Sequence, residues 1–121
     1  MNNQDIKVRC YSFSLRVLKF ISANDVDRKF KPIIDQLLRS STSISANVIE
    51  AKSSSSKREF IKYYEIALKS ANETKYWICL FRDGIKSSSE IKALLNEADE
   101  ISKIIAASII KLKKEIDSFY F

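Results

Sequence analysis

The chain has 121 residues, with one glycine (Gly84), one proline (Pro32), two cysteines, no histidine, and 21 basic against 15 acidic residues. At 45% hydrophobic and 30% charged it is too apolar for a disordered chain and long enough for one core, so residues 1–121 are expected to form a single domain. Scarce glycine argues against sheet-rich folds and phosphate-cradling loops, and the missing histidine removes Ser-His-Asp triads, two-histidine zinc motifs and the Glu-x-x-His pairs of di-iron bundles.

The N-terminal MNNQDIKVRC lacks the apolar core of a signal peptide, and no run of 18 apolar residues occurs anywhere. A cytoplasmic protein with no membrane contact is the expectation. The first helix is predicted over roughly Val8 to Ser22. Tyr11, Leu15, Leu18 and Ser22 recur at spacings of 4, 3 and 4, and Cys10, Phe13, Val17 and Phe20 form a second, adjoining stripe. Cys10 and Cys79 both fall in apolar helical stretches and read as reduced, buried thiols. The polar SANDVDRKFK reads as a loop, and Pro32 suits an early position of the second helix, where its missing N–H costs nothing. That helix carries Ile34, Leu37, Ser41, Ile44, Val48 and Ala51 at 3, 4, 3, 4, 3 and should fade in Ser53 to Ser56.

Ser56 followed three residues later by Glu59 is a capping box that opens the third helix. Phe60, Tyr64, Ala67, Ala71, Thr74, Ile78 and Phe81 follow at helical spacing, and Gly84 occupies the place of a left-handed C-cap. Ser87 and Glu90 repeat the capping signal, and Ile91, Leu94, Ala98, Ile101, Ile105, Ser108 and Leu112 mark a fourth helix. Helices three and four are predicted at about 25 residues each, on the order of 37 Å. Short connections between long helices favour an all-α, antiparallel up-down-up-down four-helix bundle. Helix three adds Ile61, Tyr63, Ile66, Leu68, Tyr76, Trp77 and Leu80 to its stripe. Helix four adds Leu95, Ile104, Ile109, Ile110 and Ile116, with Tyr120 and Phe121 at the tail. This exceeds what one bundle hides, so self-association is expected.

No catalytic, cofactor or metal site is legible. Glu50, Glu65, Glu73, Glu97 and Glu100 read as surface charges or as partners of Arg39, Lys62 and Lys69. Charge placement says more. Residues 1–58 hold 11 basic and 5 acidic side chains, an excess of six, whereas residues 59–121 hold 10 of each. Arg28, Lys29 and Lys31 cluster before helix two, and Lys52, Lys57 and Arg58 cluster after it, as candidate phosphate contacts. Helix two also carries a polar stripe, Arg39, Ser43, Asn47 and Glu50, beside a run of small residues from Ser40 to Ala46. Lys69, Asn72 and Glu73 of helix three are its expected counterpart. A buried or interfacial network that fixes helix register is the structural reading, which makes Glu50→Ala destabilising, and a ligand-contact surface is the functional one.

The segments QLLRSSTSISANVIEA and SKREFIKYYEIALKSANETKYWICL resemble the signature of the four-helix-bundle family named for proteins encoded in intervening sequences of bacterial 23S rRNA genes. The opening DIKVRCYSFSLRVLKF is similar to that family's first helix. Arg39, Ser40, Ser43, Asn47, Glu50, Lys69, Asn72, Glu73 and Trp77 match the family motif by position. Ser45 stands where many members have glycine, and Ser53 to Ser56 replace more helix-friendly residues. The resemblance implies a ring of bundles, a homopentamer, and kinship with the accessory variability proteins of diversity-generating retroelements, which bind a reverse transcriptase and nucleic acid through a basic surface. A non-enzymatic, oligomeric accessory or scaffold protein binding RNA or DNA, without cofactor, is the resulting expectation. The alternative is a protein-interaction ring with no nucleic-acid role.

Overall fold

A computed structural model describes residues 5–120. Among them the chain forms four helices, one 3-10 turn and no strand: α1 Ile6–Ala23, the turn Arg28–Phe30, α2 Lys31–Ala51, α3 Lys57–Gly84 and α4 Ser89–Tyr120. The Tyr120 side chain and the whole of Phe121, both expected to add apolar surface, lie outside what is described. None of the helices is long and apolar enough to cross a membrane.

Local chemistry sets most helix ends. Asp5 caps α1 by accepting from the Lys7 N–H at 2.8 Å, and Pro32 sits in the first turn of α2, where no N–H is required. Ser56 caps α3 through the Glu59 N–H at 3.1 Å, but the Glu59 carboxylate accepts from the Ser55 hydroxyl at 3.0 Å. At α4 the capping hydroxyl is Ser88, which accepts from the Ile91 N–H at 3.2 Å, one residue after the expected Ser87. Gly84 is not a left-handed cap. It lies within α3, no described glycine has positive φ, and the chain leaves through Ile85, whose N–H donates to the Phe81 carbonyl at 2.9 Å. Ile85 at φ −117 and ψ −66 ends the helix without needing a glycine.

Four corners enclose one core. α1 packs against α2 and α4, α3 packs against α2 and α4, and the backbones of the diagonal pairs stay apart. Phe13, Val17, Leu37, Ile44, Val48, Ile78, Phe81, Ile91, Leu94, Ile101 and Ile105 are at most 1% exposed, each burial contributing about 1.5–3 kcal/mol. The stripes predicted for helices two, three and four are the ones that point inward. On α1 the two stripes separate. Cys10, Phe13, Val17 and Phe20 are buried, whereas Tyr11, Leu15 and Leu18 face solvent with Ser22. Both stripes have helical period, so spacing alone does not choose between them. Packing does: Phe13 and Phe20 are buried, and Phe20 meets Phe81 edge-on at 5.2 Å near the end of the bundle.

The seam between α1 and α4 is ionic. Arg9 holds Glu97 through Nε and Nη2 at 2.8 and 2.9 Å and reaches Glu100 at 2.6 Å, with the Arg9 and Glu97 side chains only 12% and 17% exposed. The hydrogen bond from Arg9 keeps the Glu97 carboxyl below the usual carboxylate range, and Glu97 in turn raises the Arg9 guanidinium. Beside them, burial pushes the Cys10 thiol up to about 12, so it stays a neutral, space-filling group.

Two predictions follow from these ends and seams. Gly84→Ala should stabilise the protein by about 0.5–1 kcal/mol in denaturant unfolding, because the site is helical and an added Cβ meets nothing within 4 Å. Glu97→Gln should cost about 1.5–3 kcal/mol at neutral pH. Since the folded Glu97 pKa is depressed, its contribution is full above the unfolded value of about 4.3 and fades as pH falls through the lower folded value. The stability gap between wild type and Glu97→Gln should therefore narrow as pH falls below about 4; a gap unchanged between about pH 7 and pH 2 would mean the charge is irrelevant.

Candidate nucleic-acid interface and the polar seam

The two basic clusters lie at opposite ends of α2, about 30 Å apart for 21 residues at 1.5 Å each. All six side chains are exposed, but their surroundings differ. At the α1–α2 turn, Arg28, Lys29 and Lys31 share the segment with Asp25, Asp27 and Asp35, three cations with three anions. Asp27 accepts from the Lys29 N–H at 3.0 Å, and Lys31 pairs with Asp35 at 2.8 Å. The α2–α3 junction is different. Lys52, Lys57, Arg58 and Lys62 crowd the end of the bundle with Glu50, Glu59 and Glu115, and Lys57 reaches Glu115 at 3.1 Å. The Lys52 ammonium lies 5.7 Å from the Phe60 ring centre, a cation–π contact that leaves its charge facing solvent. Ser54, Ser55 and Ser56 line the same shallow recess as Lys52 and Lys57.

The polar residues of the family-like segments divide between two surfaces. Ser43 and Asn47 turn toward α3. The Ser43 hydroxyl is 2.9 Å from that of Ser70, and the Asn47 amide donates to the Ser43 carbonyl at 2.8 Å and to its hydroxyl at 3.1 Å. Ser40, one turn earlier, lies 2.9 Å from the Thr74 hydroxyl, which is also 2.8 Å from the Ser70 carbonyl. Ser40, Ser70 and Thr74 are buried, and no buried side-chain polar atom among the described residues lacks a partner. Arg39 and Glu50, on the same stripe, are exposed, so a network packed inside the single chain does not include them. Lys69, Asn72 and Glu73 do not meet the α2 stripe either. They line an open groove between α3 and α4 with Leu68, Tyr76 and Ile110. The cause is rotation: Ser70 and Thr74, four apart, face α2, and at 100° per residue their neighbours swing outward. Trp77 is half-buried, edge-on to Tyr76 at 4.8 Å.

Sequence pattern missed Ser70 and Thr74 as members of the seam, although Thr74 stood in a core stripe and its hydroxyl was the available signal. The carboxylates also find other partners than those expected: Glu65 pairs with Lys113 at 3.1 Å, and Glu97 and Glu100 with Arg9. Among the described residues no group of three or more Cys, Asp or Glu is placed to hold a metal ion.

A family model described as 23S rRNA-intervening sequence protein matches residues 2–107. Among solved structures, the chain is similar to the crystal structure of a protein with unknown function from the S23 ribosomal protein family of Bacteroides thetaiotaomicron. The two are 34% identical, with a TM-score of 0.75, over 87% of this chain and 98% of that one. No curated protein matches.

The seam and the exposed stripe predict opposite responses to mutation. Thr74→Val keeps the shape but strips the hydroxyl that Ser40 and the Ser70 carbonyl share, and should cost about 1–2 kcal/mol. Glu50→Ala, at an exposed position, should stay within about 0.5 kcal/mol of wild type. Thermal melts of both variants check the contrast.

Proposed function

The chain belongs to the 23S rRNA-intervening sequence protein family, and on that premise we propose that it is a basic, non-enzymatic scaffold that binds structured RNA or DNA while assembled as a homo-oligomer. The cross-helix pairs run in opposite senses. Ser40 and Ser43 meet Thr74 and Ser70, Glu65 and Lys75 meet Lys113 and Asp99, and Arg9 and Arg16 meet Glu97 and Glu90. We read this as an up-down-up-down antiparallel bundle, and the repeating unit of a ring, with five subunits as the family-based expectation.

The observation that carries the nucleic-acid reading is the exposed cluster Lys52, Lys57 and Arg58 at the α2–α3 junction, which with Lys62 outnumbers Glu50, Glu59 and Glu115 nearby. In a ring this cluster repeats once per subunit, which turns a weak patch into a continuous band of positive potential. Lysine and arginine on helical surfaces read phosphates before bases, so sequence preference should be weak. The protein-interaction reading is favoured by one observation, the exposed apolar stripe on α1, and it takes over if nucleic acid does not bind.

Salt-titrated binding to a structured RNA and to single-stranded DNA tests the proposal. Reversing Lys52, Lys57 and Arg58 to glutamate should abolish binding near physiological salt. If all three touch duplex phosphates, a log–log salt slope measured at low salt should flatten by roughly 3, at about 0.9 per lost contact. Reversing Arg28, Lys29 and Lys31 should do less, because three aspartates already offset them, and reversing Lys111, Lys113 and Lys114 should do least. Equal losses from all three variants would mean bulk charge and no site. Absence of binding even at low salt would overturn the reading.

A further inference from the structure

The single chain carries two apolar surfaces of different shape on opposite sides of the bundle. One is convex. Val8, Tyr11, Leu15 and Leu18 on α1 are 45%, 58%, 36% and 47% exposed, and their 3, 4, 3 spacing makes one straight ridge directed away from the core. The other is concave, the groove between α3 and α4 floored by Leu68, Ile109 and Ile110 and walled by Tyr76. α1 and α3 occupy opposite corners and meet only through side chains inside the core, and the ridge and the groove both face outward, so one chain cannot seat its own ridge in its own groove.

Charge separates the ways two copies could meet. At 100° per residue Lys7 and Lys19 flank the ridge about 60° to either side, both exposed and without an ion pair among the described residues. Ridge against ridge would set these lysines against their own kind. Groove against groove would leave two hollows facing each other. The groove walls instead hold Glu65 and Glu73, and Glu73 has no basic partner among the described residues, although Lys69 and Lys113 lie in the same groove.

We propose that the α1 ridge of one copy seats in the α3–α4 groove of the next, a head-to-tail contact between two different surfaces of the same chain. This rests on the self-association reading above and deepens it by assigning the two faces. Such a contact is heterologous: every subunit uses one ridge and one groove, and repetition closes a ring where the rotation allows.

The test is a complementation experiment by sedimentation. One variant carries Tyr11→Glu and Leu18→Glu on the ridge, the other Tyr76→Glu and Ile110→Glu in the groove. All four positions are exposed, and far-UV circular dichroism checks that both variants keep their helices. Should either pair lose helicity, Leu15→Glu and Ile110→Glu alone replace them. Wild type should sediment well above one chain of 13.9 kDa, each variant alone as one chain, and an equimolar mixture as a species of twice that mass, because one intact ridge and one intact groove remain. A wild type that runs as one chain overturns the self-association reading itself. A wild-type oligomer with either variant still assembled, or a mixture that stays monomeric, leaves self-association standing and overturns the assignment of faces.

Discussion

The close approach of α2 and α3 is the constraint on which the rest of the molecule depends. Hydroxyl oxygens at Ser40 and Thr74, and at Ser43 and Ser70, come within 2.9 Å of each other, which is possible only where neither helix carries a large side chain at the contact. Small residues bring the backbones together, and the hydroxyls satisfy one another or the carbonyls of their own helix once water has been excluded. A one-residue slip along either helix would strand several buried oxygens at once. The seam contributes modestly to net stability and strongly to register.

Register in turn decides what the surfaces display. With Ser43 and Asn47 committed to α3, Arg39 and Glu50 are left exposed on α2; with Ser70 and Thr74 committed to α2, Lys69, Asn72 and Glu73 are carried to the groove beside α4. One continuous family-like segment thus serves two purposes. Its small polar residues join helices within the chain, and its charged residues face outward, where a partner would find them. The same register places the α2–α3 turn and its lysines at one end of the bundle.

The interior was legible in the sequence wherever one stripe dominated a helix. Leu37, Ile44 and Val48 on α2, and Ile91, Leu94, Ala98, Ile101 and Ile105 on α4, stand at helical spacing and are buried as expected. The capping serine of α3 was legible too, because Ser56 and Glu59 leave few alternatives. On α1 the pattern was ambiguous, since two stripes of equal period compete and only packing against Phe81 and its neighbours resolves them. Gly84 shows a different limit: composition marks a glycine as punctuation, but its φ is set by whether the next residue can stop the helix, and Ile85 does. The surface sites were least legible. Pairing between Arg9 and Glu97 joins residues far apart in sequence, and the neutralisation of Arg28, Lys29 and Lys31 by neighbouring aspartates becomes apparent only when each cluster is weighed with its acids.

That distance along the chain has an entropic consequence. The contacts of α1 with α2, of α2 with α3 and of α3 with α4 link neighbours joined by short turns, so their loop-closure entropy is small. The α1–α4 seam, with Arg9 and Glu97 separated by 88 positions, closes nearly the whole chain. By that measure the three hairpins are the cheap closures, and the α1–α4 seam that Arg9 holds is the costly one. With that seam closed α1 is held by both of its neighbours, α2 and α4, and its outer ridge is given one orientation to present.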